Sequence, residues 1–200
     1  MGNHRTKEFE AMMNRLPLLL LALLAAAPSW ADATDEKCQA TLEVFRGLGN
    51  TSVFLADSYG YAVFPTIGKG GIGIGGAYGT GCVYRGGAKT GTASMGQVTI
   101  GFQLGGQAFS ELIVFQSKAA YDVFTTGSFE FGAGASAVAL TFGAQAGTGT
   151  TGSSASAGST KGTGGWYRGM ATFTLAKGGL MYEASIGGQK FNFKPIGSKR

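Results

Sequence analysis

Between Gly71 and Cys82 glycine occupies every second position but one: Gly71, Gly73, Gly75, Gly79 and Gly81, with Ala77 filling the gap. The alternate positions hold Ile72, Ile74, Gly76, Tyr78, Thr80 and Cys82. A period of two is the mark of a strand, so this segment reads as a strand with one face almost bare of side chains. Glycine weakens a strand through backbone entropy, and a bare face therefore calls for another backbone or an aromatic ring lying flat on it. The whole chain shares the bias: 36 of its 200 residues are Gly, against about 7% in ordinary proteins. Only 4 Pro and no Gly-X-Y period exclude collagen. A hydrophobic content of 44%, with 12% aromatic, excludes a disordered Gly/Ser polymer.

The N-terminus reads as an address. Arg15 precedes Leu16–Ala27, an apolar run of 12, and Ser29-Trp30-Ala31 supplies the small residues of a cleavage site, with Ala31-Asp32-Ala33 as a second option. Twelve residues fall short of the roughly 20 that span a bilayer as a helix. The expectation is a cleaved signal over residues 1–31 and one exported domain over 32–200, periplasmic, with association with the outer membrane left open. Removing the signal takes Arg5, Lys7 and Arg15 from 16 basic residues and Glu8 and Glu10 from 11 acids. That leaves 13 against 9, a net of +4.

Signal cleavage also removes His4, the sole histidine. Without imidazole there is no Ser-His-Asp or Cys-His mechanism and no ordinary His-bearing zinc site. The acids are scattered and offer no paired carboxylates. Neither a catalytic residue nor a metal ligand nor a cofactor is expected. Gly68–Gly73 matches GxGxxG, but no Ser or Thr follows a Gly-Lys pair and the segment continues as a strand, so it is no phosphate loop. Nucleic acid is not an expected partner. Cys38 and Cys82 either pair in the oxidising compartment or stay as two separately buried thiols.

Helical spacing joins Cys38, Leu42, Phe45 and Leu48 behind a cap at Thr34 or Asp35. A shorter helix follows Thr51 or Ser52. Tyr61–Phe64 is a short strand stopped by Pro65, and Val98–Leu104 alternates as another. Ser117 caps a middle helix over Lys118–Thr126, while Phe129–Phe142 and Trp166–Tyr182 supply the remaining strands, the latter turning at Lys177-Gly178-Gly179. Three Gly-Gly pairs, at 75–76, 105–106 and 187–188, mark bulges or bends. Residues 145–165 are nearly all Gly, Ser, Thr and Ala and read as a flexible loop. The expected class is α+β: a strongly curled, mostly antiparallel glycine-rich sheet, barrel-like or a sandwich, covered by the N-terminal helix and the short middle helix.

Six ordered blocks carry a resemblance. They are Tyr59–Pro65, Ile67–Gly71, Ile74–Gly79, Gly101–Gln107, Phe129–Gly132 and Lys177–Gln189. Together they resemble the SYLF domain, also labelled a yeast-type actin-binding domain, over roughly Thr41 to Pro195. The resemblance implies a non-enzymatic lipid-binding module whose partner is an anionic phospholipid or membrane surface; a protein partner is unknown. Family members that meet membranes through a basic N-terminal helix differ from this chain, whose residues 32–48 carry a net of −2. Its apolar stripe is expected in the core. The headgroup candidates are then the basic residues of predicted turns, Lys69, Arg85, Lys89 and Lys177, with Lys190 and Lys194 near the last strand. An integral outer-membrane barrel is the alternative reading, since alternating strands also suit one.

Overall fold

The computed structural model describes residues 30–72, 74–100, 105–132, 139–142, 165–178 and 188–197. The chain divides into two units, Met1–Ala33 and Thr34–Arg200. Residues 1–29 of the expected signal and all but the last residue of the expected 145–165 loop lie outside the described residues; Trp30 and Ala31, at the expected cleavage site, fall in the first described helix. Among the described residues three helices, α1 (Trp30–Arg46), α2 (Thr51–Ala56) and α3 (Lys118–Thr125), accompany eight strands. The strands are β1 (Gly60–Ile72), β2 (Ile74–Arg85), β3 (Ala88–Ile100), β4 (Gly105–Phe115), β5 (Ser128–Glu130), β6 (Leu140–Phe142), β7 (Met170–Gly178) and β8 (Lys190–Pro195). The protein is α+β. No described helix is long and apolar enough to cross a membrane.

All eight strands form one sheet in the order β5-β8-β3-β2-β1-β4-β7-β6, antiparallel throughout except for the parallel β6–β7 pair. Among the described residues this is one open sheet with β5 and β6 at its edges, not a closed barrel. The outer-membrane alternative needs a closed ring with a lipid-facing outer surface. Here both faces of the described sheet instead carry a packed core.

Several strand limits differ from the sequence reading. The segment Gly71–Cys82 is two strands rather than one, because Ile72 pairs with Ile74 and Gly71 with Gly75 across a reversal of the chain. Pro65 does not stop β1. The register shifts beside it on both sides, between Val63 and Thr66 against β2 and between Phe64 and Ile67 against β4. A bulge of this kind lets a central strand absorb the missing N–H, and the Pro65 carbonyl accepts a 2.7 Å bond from Ser110 Oγ. By contrast, Gly75-Gly76 and Gly105-Gly106 pair in unbroken register, so neither pair is a bulge; Gly187 of the third pair lies outside the described residues. The β2–β3 hairpin turns on Gly86 and Gly87 at φ +55° and +81°, as a two-residue turn with positive φ at both positions requires. Helix α1 starts ahead of the expected cap, and α3 starts where Ser117 Oγ accepts from Ala120 N.

Each face of the sheet carries a buried core. On one, α3 sets Ala120, Tyr121 and Phe124 against Phe64, Ile67, Phe109, Phe115 and Phe191. On the other, α1 sets Cys38, Leu42, Phe45 and Leu48 against Tyr61, Val63, Cys82, Tyr84, Leu112 and Phe173. Side chains of β8 reach those of β1 and β4: the Phe64 and Phe191 rings are 5.5 Å apart, and Gln189, just before β8, bonds Glu111 of β4 at 2.9 Å. In a flat sheet β8 and β4 stand four strand spacings apart, roughly 19 Å at about 4.8 Å each. The sheet therefore bends over the α3-side core.

The bare row of β2 sits at the inside of that bend. A Cβ on Gly81 would lie 2.8 Å from Phe64 Cδ1 and closer still to the Val63 carbonyl. One on Gly79 would lie 2.6 Å from Ile67 Cγ1. Across the opposite face a disulfide joins Cys38 of α1 to Cys82 of β2, with Cα atoms 6.2 Å apart, within the range such a bridge accepts.

Gly81→Ala should lower stability by about 1–3 kcal/mol, the usual effect of overpacking, measured by urea denaturation. Replacing both cysteines by Ala should lower it by up to about 4 kcal/mol on the chain-entropy account for a separation of 44 residues. The same denaturation curves check it.

Candidate functional site on the uncovered half of the sheet

Helix α1 shields only one end of its face of the sheet. Beyond it Thr66, Gly68, Gly70, Gly76, Tyr78, Thr80 and Val98 are exposed. The register sets Gly68 beside Tyr78, Tyr78 beside Gly96, and Gly76 beside Val98. Tyr78 and Val98 are 63% and 75% exposed, high for side chains of their size on the middle strands of a sheet. The glycines around them form a second class. A Cβ on Gly68 or Gly96 would meet nothing within 4 Å, and one on Gly76 or Gly106 only ordinary contacts at 3.6 and 4.0 Å. Packing within the protein explains Gly79 and Gly81; it does not explain these.

This floor continues into an open groove of about 580 Å³ between β2, β3 and β8. Tyr78, Gly96 and Val98 make one side of it, and Lys190, Asn192 and Glu130 the other. Strand alternation explains the division: Phe191 enters the core, so Lys190, Asn192 and Lys194 share the opposite face. Lys190 Nζ stands 3.6 Å from Glu130 Oε2, both well exposed. At the β7 side Lys177 Nζ donates to Thr66 Oγ1 at 3.1 Å. Partial burial holds the Lys177 amine below its ordinary pKa, and the charge of Lys37 on α1 pushes the same way. The strands of this face thus carry Lys177, Lys190 and Lys194 with Glu130 as their acid.

The other three sequence candidates lie elsewhere. Lys89 pairs with Asp35 at 3.4 Å, and Asp35 also accepts from the Tyr84 hydroxyl at 2.7 Å. Burial, then that bond, holds Tyr84 well above the ordinary phenol pKa. This cluster ties the start of α1 to the sheet. Arg85 lies 5.9 Å from the Tyr121 ring centroid, a cation–π contact at the α3 side. Lys69 has the alternation of Ile67 and faces the α3 side, half-buried. Sequence reasoning missed Tyr78, Val98 and Lys37. Tyr78 was legible as the one aromatic side chain among the exposed positions of β2; Lys37 was less so, because its helix is acidic overall. The helix stripe Cys38, Leu42, Phe45 and Leu48 is buried, and is no membrane-facing surface.

Residues 96–194 match the family model described as Ysc84, a Las17-binding protein actin regulator. The chain carries a domain of this Ysc84, or SYLF, family. The matched segment holds Gly96, Val98, Glu130, Gly188, Lys190 and Asn192, and so most of the groove, together with Lys177 and Lys194 beside it. No curated protein matches the chain.

Tyr78→Ala and Val98→Ser should each leave stability within about 0.5 kcal/mol of the parent, as exposed positions do. Gly96→Ala should be neutral or stabilising by up to about 1 kcal/mol, in contrast to Gly81→Ala. Thermal melts of the three variants read both.

Proposed function

We propose that the protein is a non-enzymatic module that binds an anionic phospholipid surface through the uncovered half of its sheet. The observation that carries this reading is the pairing of an exposed Tyr78 and Val98, on a floor of glycines that nothing within the fold requires, with Lys177, Lys190 and Lys194 around it. A flat floor admits a broad, flat partner. Tyrosine suits the headgroup level, where its ring is apolar and its hydroxyl wet. Lysines at the rim supply charge complementarity, each worth about 1 kcal/mol at an anionic surface. Family membership supports a binding module over an enzyme. The family description names Las17 and actin. The expected signal over residues 1–31 argues for export to the periplasm, where no actin cytoskeleton lies, so lipid is the binding function carried over.

Flotation with phosphatidylglycerol–phosphatidylcholine vesicles tests it. The protein should float with these and not with phosphatidylcholine alone. K177A/K190A should weaken binding roughly 25-fold at low salt, from about 1 kcal/mol per lysine, and Y78A should weaken it further. Equal flotation with both vesicle types, or none with either, overturns the reading.

A further inference from the structure

Glu111 is fully buried on the α3 side of β4, and Gln189, equally buried, is its hydrogen-bond partner. Gln189 Nε2 donates to Glu111 Oε2 at 2.9 Å. That leaves Oε1 of Glu111 and Oε1 of Gln189, both buried and both without a partner. Two orphan acceptors on one bonded pair are a specific chemical problem. A buried polar atom left unpaired is costly, and a buried carboxylate without a cation far more so. One proton solves both at once. A neutral Glu111 donates its O–H to the Gln189 carbonyl while that side chain's N–H₂ donates back, closing an acid–amide ring.

The position of the pair gives it a consequence. Gln189 lies between Gly188 and Lys190, and both of those line the groove. Gly188 N donates to the Phe131 carbonyl at 2.8 Å and Phe131 N to the Gln189 carbonyl at 3.0 Å, so this short segment also holds the end of β5 that bears Glu130. Gln189 is the inward-facing pin of one groove wall, anchored on β4 across the bend of the sheet.

We infer that Glu111 is a proton-holding positioning residue: as a neutral acid it latches Gln189 and fixes the groove wall at residues 188–190, and loss of its proton loosens that wall. Unlatching sends one proton from Glu111 to water and leaves a carboxylate oxygen facing the Gln189 carbonyl. Burial raises the carboxyl pKa from 4.5 to about 8, with the Gln189 bond lowering it in part. The charged and titratable groups of the surrounding elements are engaged elsewhere or displaced along their strands. Lys190 of β8 faces Glu130 of β5, Lys177 of β7 bonds Thr66, Tyr121 of α3 bonds Thr90, and Lys69 of β1, half-buried on the same side of the sheet, stands beside Gln107, four residues along β4 from Glu111. None of them contributes to the shift.

The sign follows. Below the unfolded value both states hold the proton and the pair adds no pH dependence. Between 4.5 and about 8 the unfolded chain has released a proton that the folded one keeps, so stability falls as pH rises through that window.

Carbon-13 NMR of the Glu111 carboxyl in the whole protein tests the inference directly. A midpoint near pH 8 is expected; a midpoint in the ordinary carboxylate range overturns it. Hydrogen exchange at residues 188–190, corrected for intrinsic base catalysis, should accelerate through the same midpoint. Glu111→Gln, which replaces the acid–amide ring by an amide pair of the same shape, should remove both that acceleration and the pH slope of the melting temperature. If E111Q does not fold, the wild-type titration and exchange profile still decide. Exchange that is flat through the midpoint also overturns the inference. These readouts need no lipid, so their failure is distinct from failure of the vesicle experiment.

Discussion

The close seating of Phe64 and Ile67 on the bare row of β2 is the contact on which the rest of the fold depends. With a side chain at Gly79 or Gly81 the ring and the isoleucine could not lie against the strand. The inside of the sheet would fill, and the bend that carries β8 back toward β4 would be lost. That bend lets six of the protein's phenylalanines, among them Phe64, Phe115, Phe124 and Phe191, form one aromatic core under α3. It also brings Gln189 to Glu111. The entropy that glycine costs a strand is offset by the aromatic surface it allows to be buried.

One face is bent inward over its core, and α1 covers only part of the other. The disulfide from Cys38 to Cys82, the Tyr84–Asp35 bond and the Lys89–Asp35 pair all fix α1 at that one end. What remains open is a glycine floor with two apolar side chains and a rim of lysines. The same residue type thus serves two ends in adjacent rows of β2: inside the bend it admits a ring, and outside it leaves a flat surface.

Much of this was legible in the chain itself. Alternation in Gly71–Cys82 showed the bare row and named what must lie on it. The spacing of Cys38, Leu42, Phe45 and Leu48 showed a core-facing stripe, and Ser117 marked the start of α3. Strand limits were less legible, because a reversal between Ile72 and Ile74 and a mid-strand glycine such as Gly79 look alike in a glycine-rich run. Pro65 misled for a related reason: a bulge on both sides of a central strand is a property of its neighbours' register, not of the proline. Among the six basic candidates, only pairing across strands separated Lys177, Lys190 and Lys194 from Arg85, Lys89 and Lys69.

The sequence by itself determined the α+β class, the need for aromatic packing on glycine, the family and the absence of histidine chemistry beyond His4. These are local or compositional properties, set by period, residue type and short ordered motifs. Tertiary structure alone decided that the sheet stays open, which half of its outer face α1 leaves bare, and which lysines share that half. It alone paired Glu111 with Gln189, residues 78 apart in the chain. Such facts depend on the bend of the sheet, and the bend is the sum of contacts between strands that are distant in sequence.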